Sequence, residues 1–169
     1  MNIDLYLFNL INSFAKKSKV LDFFAIFCSV YLGPLLFLVL ALVALVASNF
    51  EIFIFPFFSA VVARLIISES IYFFYKRKRP MEIFSVNQLI KKPNHPSFPS
   101  GHASAFFALS FGLLPYSLTL AVIFLSITCL MAFSRIFSGV HWPSDVLAGI
   151  VLGFLSFLML YFFKINLSF

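Results

Sequence analysis

The chain has few charged residues. Only 11% of its 169 residues are charged, and six of these are acidic. Soluble domains usually carry charge on about a quarter of their residues. The chain is instead 62% hydrophobic, which is more than one globular core of this length can hide, so the excess must face lipid. The composition excludes an ordinary soluble protein and predicts a single integral membrane domain over residues 1–169.

Cysteine is also scarce. Cys28 and Cys129 are the only two; they lie in apolar runs without the spacing of metal ligands, so we interpret both as buried, small hydrophobic residues. The N-terminus has an acidic Asp4 and no early basic region, which argues against a cleavable signal peptide. Either juxtamembrane Lys and Arg or pairing with phosphates explains the net charge of +6, and no nucleic-acid partner is expected.

Long apolar runs predict an all-α bundle of about five transmembrane helices, since a helix needs about 20 apolar residues to cross a bilayer. The predicted spans are residues 21–47, 52–75, 101–114, 118–133 and 143–163. Pro34 is expected to kink the first span. The apolar stretch within residues 1–20 is too short to cross the membrane. Its helical periodicity predicts an amphipathic helix that lies in the membrane interface. Its apolar positions are Ile3, Leu7, Leu10, Ile11 and Phe14.

The order of these spans brings the polar segments to one face of the membrane. Residues 76–100 form the only long polar stretch, with six Lys or Arg and four Pro, and connect the second span to the third. The link between the fourth and fifth spans returns to the same face. We therefore expect the 76–100 loop, the start of the third span and the 134–142 link to form one polar surface.

The first polar cluster on that face is Lys76-Arg77-Lys78-Arg79-Pro80. The planar guanidinium of arginine suits phosphate oxygens, and lysine supplies a compact charge. A plain juxtamembrane run that binds lipid headgroups is the alternative interpretation.

The second cluster, Pro99-Ser100-Gly101-His102, lies where the third span begins. Ser100 is a good N-cap, and Gly101 lets the backbone approach a ligand. The N-terminus of a helix attracts anions, and His102 is expected to face such an anion. A simple cap followed by an interfacial histidine is the alternative.

The third cluster contains Ser134-Arg135, His141 and Asp145. His141 and Asp145 are four residues apart, so a helical turn lets the carboxylate accept a hydrogen bond from the imidazole. A capping aspartate beside a stacked histidine is the alternative, but both residues are costly at membrane depth and favour a functional interpretation. Together the three clusters supply the cations, nucleophile and acid that phosphoryl transfer requires.

These clusters resemble the motifs of the type 2 phosphatidic acid phosphatases, a family that shares its site with vanadium haloperoxidases. The family pattern is Lys-x6-Arg-Pro, Pro-Ser-Gly-His and Ser-Arg-x5-His-x3-Asp. Residues 99–102 and 134–145 match the second and third motifs in full, and Arg79-Pro80 closes the first. Tyr72 stands where the family has its lysine. Lys76, one turn further on, is a candidate replacement, or the site works without this cation.

The resemblance implies a role for each matched residue. His141 would attack phosphorus and form a phosphohistidine, Asp145 would orient it, and His102 would protonate the leaving oxygen and then activate water. The residues implied to hold the phosphate are Arg79, Arg135, Ser100 and Gly101, with Lys76 as the added candidate. Such a site needs no metal or other cofactor. The residues alone leave open a divalent ion bound by His102, His141 and Asp145.

The expected partners are membrane lipids and a lipid phosphate or diphosphate as substrate. The missing lysine and the small frame favour undecaprenyl diphosphate, hydrolysed to undecaprenyl phosphate. Phosphatidic acid, phosphatidylglycerophosphate and lipid A are alternatives, and a lipid-phosphate transporter or inactive scaffold is an alternative of another class. The resemblance implies an active site on the outer face of the cell membrane. The positive-inside rule indicates the cytoplasmic face, because ten of the 12 Lys and Arg, all but Arg64 and Lys164, lie on the active-site face.

Two features stay outside these motifs. His95 matches no motif and is interpreted as a solvent-exposed loop residue. Arg64 and Glu69 lie five residues apart within the second predicted span and do not share one clean helical face. Pairing with other helices and lining a polar route to the site are both left open for them.

Overall fold

Helices supply all the regular secondary structure of residues 3–167, the part of the chain described by the computed structural model. They are α1 (Ile3–Asn12), α2 (Lys19–Val30), α3 (Leu32–Val46), α4 (Glu51–Val61), a π-helical segment (Val62–Ser68), α5 (Glu69–Phe74), α6 (Pro80–Ile83), α7 (Gly101–Phe111), α8 (Leu118–Phe137) and α9 (Pro143–Leu167). The predicted all-α bundle is confirmed.

The amphipathic helix predicted at the N-terminus is α1. It buries Phe8, whose ring lies 5.2 Å from that of Trp142, and Asn12. The Asn12 side chain donates to the carbonyl oxygens of Asn87 (3.0 Å) and Phe137 (2.8 Å), which fixes α1 to the loop and to the end of α8. Most of the predicted apolar stripe, including Ile3 and Leu10, faces outward, where it is available to lipid.

The first predicted span is broken into α2 and α3, whose axes differ by 54°. The break falls at Tyr31, and Pro34 lies in the first turn of α3. Proline has no N–H to donate to the carbonyl four residues earlier, which is Val30 at the end of α2. The predicted kink is therefore present and sharper than a simple bend.

The second predicted span is one continuous helix, Glu51–Phe74, made of α4, the π-helical segment and α5. In a π-helix the hydrogen bonds join residues five apart. Ser68 closes this segment, because its hydroxyl donates to the Ala63 carbonyl (2.7 Å) and bonds the Ser104 hydroxyl of α7 (2.8 Å). The π-helical segment changes which side chains share a face of the helix, and it brings Arg64 and Glu69 to the same face.

The most enclosed helix is α7, which packs against α9, α4, α8 and the π-helical segment. Nine of its 11 residues are buried, and its length is only about 16 Å. A bilayer core is about 30 Å thick, so α7 is shorter than the complete third span that the sequence predicted. It acts as the centre of the bundle.

Two glycines of α9 set its distance from α7. A Cβ added at Gly149 would lie 2.6 Å from the Ala103 Cβ, and one added at Gly153 would lie 2.8 Å from the Ser104 carbonyl oxygen. This spacing of small residues lets two helix backbones touch within a membrane. The close approach places the start of α7, with His102, beside the start of α9, with Asp145.

Three helices of the described chain are long and apolar enough to cross a membrane: Glu51–Phe74, Leu118–Phe137 and Pro143–Asn166. The bent pair α2–α3 makes a fourth if it forms one span; five crossings remain a prediction. Large apolar side chains such as Phe133 and Phe162 face outward. Cys28 is buried as predicted, but Cys129 is exposed on this outer surface, so its predicted burial was wrong.

Candidate active site

The structure brings the three predicted clusters together at one end of the bundle. His141 is completely buried between α8 and α9. Its Nε2 lies 3.2 Å from a terminal nitrogen of Arg79, which comes from the 76–100 loop. Arg79 of the first cluster therefore contacts His141 of the third.

Arg79 is held by the loop around it. Its guanidinium donates to the carbonyl oxygens of Val140 (2.6 Å), His95 (3.2 Å) and Pro96 (3.1 Å). The side chain is fully buried, and a buried charge is stable only when it is well bonded. These bonds fix the guanidinium beside His141 before any ligand binds.

Asp145 occupies the first turn of α9 and is also fully buried. Its Oδ2 accepts from the Ser97 hydroxyl (2.5 Å) and the Trp142 backbone N–H (2.8 Å), while Oδ1 accepts from Arg77 (2.6 Å). The His141 Nδ1 lies 3.5 Å from Oδ2. The two side chains are adjacent as their spacing predicted, and contacts of this length often shorten when substrate binds.

The surroundings of His141 keep its imidazole neutral. Burial, and then the positive charges of Arg79 and Arg135, lower the pKa of His141 well below its usual 6.5. A neutral ring has a lone pair on one nitrogen. A guanidinium can only donate, so the lone pair is assigned to Nε2, the atom that faces Arg79. The proton is then assigned to Nδ1, which lies 3.5 Å from Asp145 and makes no hydrogen bond within residues 3–167.

Arg135 lies near the end of α8 and is buried. One terminal nitrogen donates to the carbonyl oxygen and to the hydroxyl of Ser29 on α2, both at 3.1 Å. Its Nε is buried with no hydrogen-bond partner within residues 3–167. A buried donor without an acceptor fits a site that waits for an anion.

Ser100 is the N-cap of α7, as predicted, and its hydroxyl accepts from the Ala103 N–H (3.5 Å). Its own N–H donates to the Asp145 carbonyl oxygen (2.9 Å). Gly101 is buried in the first turn. The second motif is thus bonded directly to the third at the point where α7 and α9 meet.

His102 faces a different environment from His141. It is partly buried and lines an apolar groove of about 360 Å³ between α3, α4 and α7. The other lining groups are mainly rings and aliphatic chains, including Phe37, Phe57 and Phe106, with one cation, Arg64. The groove therefore joins a hydrocarbon-lined surface to the second predicted histidine.

Tyr72 stands where the resemblance predicted a lysine, and its side chain is packed and hydrogen-bonded within the site. It is buried, and its hydroxyl donates to the Pro99 carbonyl oxygen (2.8 Å). Lys76 is exposed and lines a polar cavity of about 570 Å³ that Tyr72 and His95 also line. No hydrogen bond joins its ammonium to a site residue within the described chain. Lys76 is thus at the rim of the site.

Two predictions were wrong here. His95 is not a plain surface residue: its ring stacks on Tyr72 with centroids 4.9 Å apart and its Nδ1 lies 3.2 Å from Arg79. Burial lowers its pKa. Arg64 and Glu69 do share a face and form an ion pair, because the π-helical turn aligns residues five apart.

Sequence reasoning missed several residues that support the site. Ser97 and Arg77 hold Asp145, and Asp4 accepts from Arg77 (2.6 Å) and from the Ser144 hydroxyl (2.6 Å). Asp4 is far from Arg77 and Ser144 along the chain, so no local sequence pattern indicated that these residues contact one another. The four-residue spacing of Gly149 and Gly153 in an apolar helix was a readable signal of close helix packing.

The structure does not gather the residues considered for a divalent ion. Within residues 3–167, no three His, Cys, Asp or Glu side chains form a group suited to a metal ion. The carboxylate of Asp145 is already occupied by Ser97, Trp142 and Arg77.

Comparison with known proteins agrees with this geometry. Residues 53–167 match the PAP2 superfamily. The chain belongs to the PAP2 superfamily. The match covers every motif residue from Tyr72 to Asp145, so the resemblance seen in the motifs is confirmed.

Two curated proteins and one solved structure are similar to this chain. The "Bacitracin transport permease protein BcrC" of Bacillus licheniformis is 32% identical over 175 residues, covering 100% of this chain and 83% of the relative. "Undecaprenyl-diphosphatase BcrC" of Bacillus subtilis is 34% identical over 100 residues, 57% of this chain and 52% of the relative. The crystal structure of Aquifex aeolicus LpxE superposes with a TM-score of 0.78 and 27% identity, covering 94% of each chain.

This PAP2 chain is a membrane lipid phosphatase, a hydrolase of phosphoric esters. Its apolar helices place it in a membrane. Its substrates are lipid phosphates.

Proposed function

We propose that the protein removes the terminal phosphate of a polyprenyl diphosphate, with undecaprenyl diphosphate giving undecaprenyl phosphate. The observation that carries the reaction type is the contact between the neutral His141 Nε2 and the Arg79 guanidinium at 3.2 Å. The name of the Bacillus subtilis relative supports the choice of substrate.

In the first step the Nε2 lone pair of His141 attacks the terminal phosphorus. A P–N bond forms, the bond from phosphorus to the bridging oxygen breaks, and its electron pair leaves with the lipid phosphate. Arg79 and Arg135 bind the equatorial oxygens, where charge accumulates in the transition state. The Ser100 and Gly101 N-terminal turn of α7 adds the positive end of a helix dipole.

Asp145 and His102 have complementary roles. Asp145 holds the His141 ring and balances the positive charge that the ring gains on phosphorylation. His102, beside the groove, donates a proton to the leaving oxygen. In the second step His102 accepts a proton from water, which attacks the phosphohistidine and releases inorganic phosphate.

The lipid chain is placed in the apolar groove that His102 lines. The groove opens along α3, α4 and α7, so a membrane-embedded chain can lie in it while its phosphates reach the polar end. This arrangement puts the leaving oxygen beside His102 and the attacked phosphorus beside His141.

A panel of lipids assayed with purified protein tests the substrate. The panel comprises undecaprenyl diphosphate, phosphatidic acid, phosphatidylglycerophosphate and lipid A, each with and without a chelator. Undecaprenyl diphosphate is expected to give the highest kcat/KM, with activity retained in chelator. Preference for a glycerolipid would overturn the substrate, and loss of activity in chelator would restore the metal alternative.

Trapping of the intermediate tests the nucleophile. Brief reaction with substrate carrying ³²P in the terminal phosphate, followed by rapid denaturation, is expected to label the protein with acid-labile, alkali-stable phosphate. His141→Ala protein should remain unlabelled. Labelling at another residue would reject the assigned nucleophile.

Transport is a second candidate, because the Bacillus licheniformis relative is named a transport permease. A transporter needs no nucleophile. If His141→Ala abolishes phosphate release but preserves lipid movement across proteoliposomes, transport is a separate function; if the wild-type protein moves lipid without hydrolysis, the phosphatase proposal is wrong.

We further propose that the active site faces the outer side of the cell membrane, as the resemblance of the motifs implies. Arg79 and Arg135 on this face are accounted for by phosphate binding, which weakens the positive-inside count against it. The 25-residue α9 begins at the site, so a crossing α9 ends on the opposite side. Lys164 near that end bonds Glu51 (2.5 Å) at the start of α4, as expected for the far end of the bundle. A reporter fused to the C-terminus should then report a cytoplasmic position, and an external C-terminus would reverse the assignment.

A further inference from the structure

Arg64 is a cation inside a helix that is otherwise apolar enough to span a membrane. It belongs to the π-helical segment, which is anchored to α7 through the Ser68–Ser104 hydroxyl contact of 2.8 Å. Charged residues within such helices are costly and usually functional, and π-helical insertions often occur at functional sites. None of the motif roles described above uses Arg64.

The side chain of Arg64 lies against the first residue of α7. A Cβ added at Gly101 would be 2.7 Å from the Arg64 Nε and 2.9 Å from its Cδ, so a larger residue at position 101 would displace it. The guanidinium lies 5.5 Å from the centre of the Tyr72 ring and pairs with Glu69. Because Gly101 has no side chain, the Arg64 guanidinium can lie over the N-terminus of α7, the helix that carries His102.

Arg64 lies at the junction of two cavities. It lines the apolar groove together with His102, whereas its neighbours Tyr72 and Glu69 line the polar cavity. Asp145, which lies beside His141, accepts from the Ser100 N–H at the start of α7 through its carbonyl oxygen, whereas His102 and Arg64 both line the groove. The expected order, from the nucleophile towards the lipid, is therefore His141, His102 and Arg64.

A diphosphate has a second anionic group at that location. Its lipid-proximal phosphate is one bridging oxygen from the attacked phosphorus, on the side of the lipid chain. A monophosphate has only an ester oxygen and hydrocarbon there. Tyr72 carries no positive charge at the position of the family lysine, but Arg64 supplies one from a different position, on the side of the groove.

We propose that Arg64 binds the lipid-proximal phosphate of a diphosphate substrate and makes the site select lipid diphosphates over lipid monophosphates. This inference rests on the proposed function and deepens it. When His141 displaces the leaving group, the bridging-oxygen electron pair adds negative charge to the lipid phosphate, which Arg64 stabilises. Glu69 exchanges its place on Arg64 with the substrate at little cost, because its side chain is 48% exposed and such pairs are weak.

The experiment compares farnesyl diphosphate with farnesyl monophosphate, which share one lipid chain, on wild-type protein and Arg64→Gln. The variant is expected to lose about 10- to 100-fold in kcat/KM for the diphosphate, the range expected for one hydrogen bond to a charged group. The monophosphate should change less than about threefold. Arg64→Lys, which keeps the cation, should recover part of the diphosphate activity.

Lys164→Gln is the matched control. Lys164 also pairs with a glutamate, Glu51, and lies 4.9 Å from the centre of a tyrosine ring, Tyr116, but at the far end of the bundle. Its removal should leave the ratio of the two activities unchanged. Thermal unfolding in detergent shows whether each variant is folded. If Arg64→Gln does not fold, the Arg64→Lys and Glu69→Gln variants test the role of Arg64 instead. Glu69→Gln is expected to keep or raise the diphosphate preference.

The outcomes separate this inference from the proposed function. Equal losses for both substrates in Arg64→Gln, or an unchanged ratio of the two kcat/KM values, overturn the role of Arg64 while the diphosphatase function stands. The same holds if Glu69→Gln loses the preference. A wild-type protein that hydrolyses the monophosphate and not the diphosphate overturns the proposed function and this inference with it.

Discussion

His141 and His102 belong to two halves of one site that are built in different ways. Around His141, Arg79 donates to three carbonyl oxygens, and Asp145 accepts from three donors. Around His102 the wall is mostly hydrocarbon, and no hydrogen bond to its imidazole is present within residues 3–167. The first half is fixed before substrate arrives, whereas the second depends on the lipid to complete it.

The difference corresponds to the chemistry that we propose for each half. Nucleophilic attack requires one geometry, and a misplacement of about 1 Å costs up to about 10²-fold in rate. A long lipid chain requires an apolar surface that excludes water and tolerates chain motion. Substitutions in the His141 half should therefore affect kcat for every substrate, and those in the His102 half should depend on the leaving group.

The largest expected effect is the loss of His141, the proposed nucleophile. His141→Ala should lower kcat by at least about 10⁴-fold for all substrates. The other imidazole beside Arg79, that of His95, stacks on Tyr72 and contacts the other terminal nitrogen of the guanidinium, so it does not occupy the position of the His141 ring. Release of inorganic phosphate measures this. The thermal unfolding temperature in detergent should show a folded protein; substantial turnover by a folded variant would contradict the mechanism.

His102→Gln should show an effect that depends on the leaving group. A positioned general acid contributes about 10²- to 10⁴-fold, so hydrolysis of a lipid monophosphate, whose alkoxide leaves poorly, should fall by that range. Hydrolysis of p-nitrophenyl phosphate, whose leaving group needs no proton, should fall much less. Equal losses for the two substrates would show that His102 is not the acid.

Arg77→Gln tests whether the fixed half owes its order to residues outside the motifs. Arg77 bonds Asp145 and Asp4 at 2.6 Å each, so its loss should lower kcat by about 10- to 100-fold with little change in KM. Asp4→Asn should give a smaller loss of the same kind.

The neighbouring Lys78 is exposed and supplies the control for charge, since Lys78→Gln removes one cation without touching Asp145. A rise in KM alone for Arg77→Gln would assign it to substrate binding instead.

The smallest effect concerns pH. The lowered pKa of His141 means that its neutral, nucleophilic form persists as the pH falls. Formation of phosphohistidine in a single turnover should therefore change less than about twofold between pH 7.5 and 5.5, whereas the neutral fraction of an ordinary histidine with a pKa of about 6.5 would fall about tenfold over that range. An acidic limb with its midpoint at or above 6.5 would show that burial does not keep this ring neutral.

The sequence predicted the motif clusters well because their spacings are local. His141 and Asp145 are joined by one helical turn, and Ser100 begins a helix that composition alone suggests. Arg77 and Asp4 were not predicted to support Asp145, since 73 residues separate them from each other and no local pattern relates a surface helix to the site.

The predicted spans show the same limit. Apolar composition identifies the helical runs, but a buried helix and a lipid-exposed helix can have similar composition. The α7 helix is apolar because other helices enclose it, so its composition resembles that of a membrane-spanning helix although it is too short to cross a bilayer. The π-helical turn was also hidden, because helical periodicity assumes bonds between residues four apart, and this made Arg64 and Glu69 look unrelated.

The glycine contacts between α7 and α9 have a consequence for redesign of lipid specificity. At Gly149 and Gly153 the two helices touch through their backbones, so the separation of their active-site ends cannot be adjusted by repacking side chains. The groove rings Phe37, Phe57 and Phe106 belong to no such contact with α9. New substrates are therefore best sought by reshaping the groove, which leaves the catalytic spacing as it is.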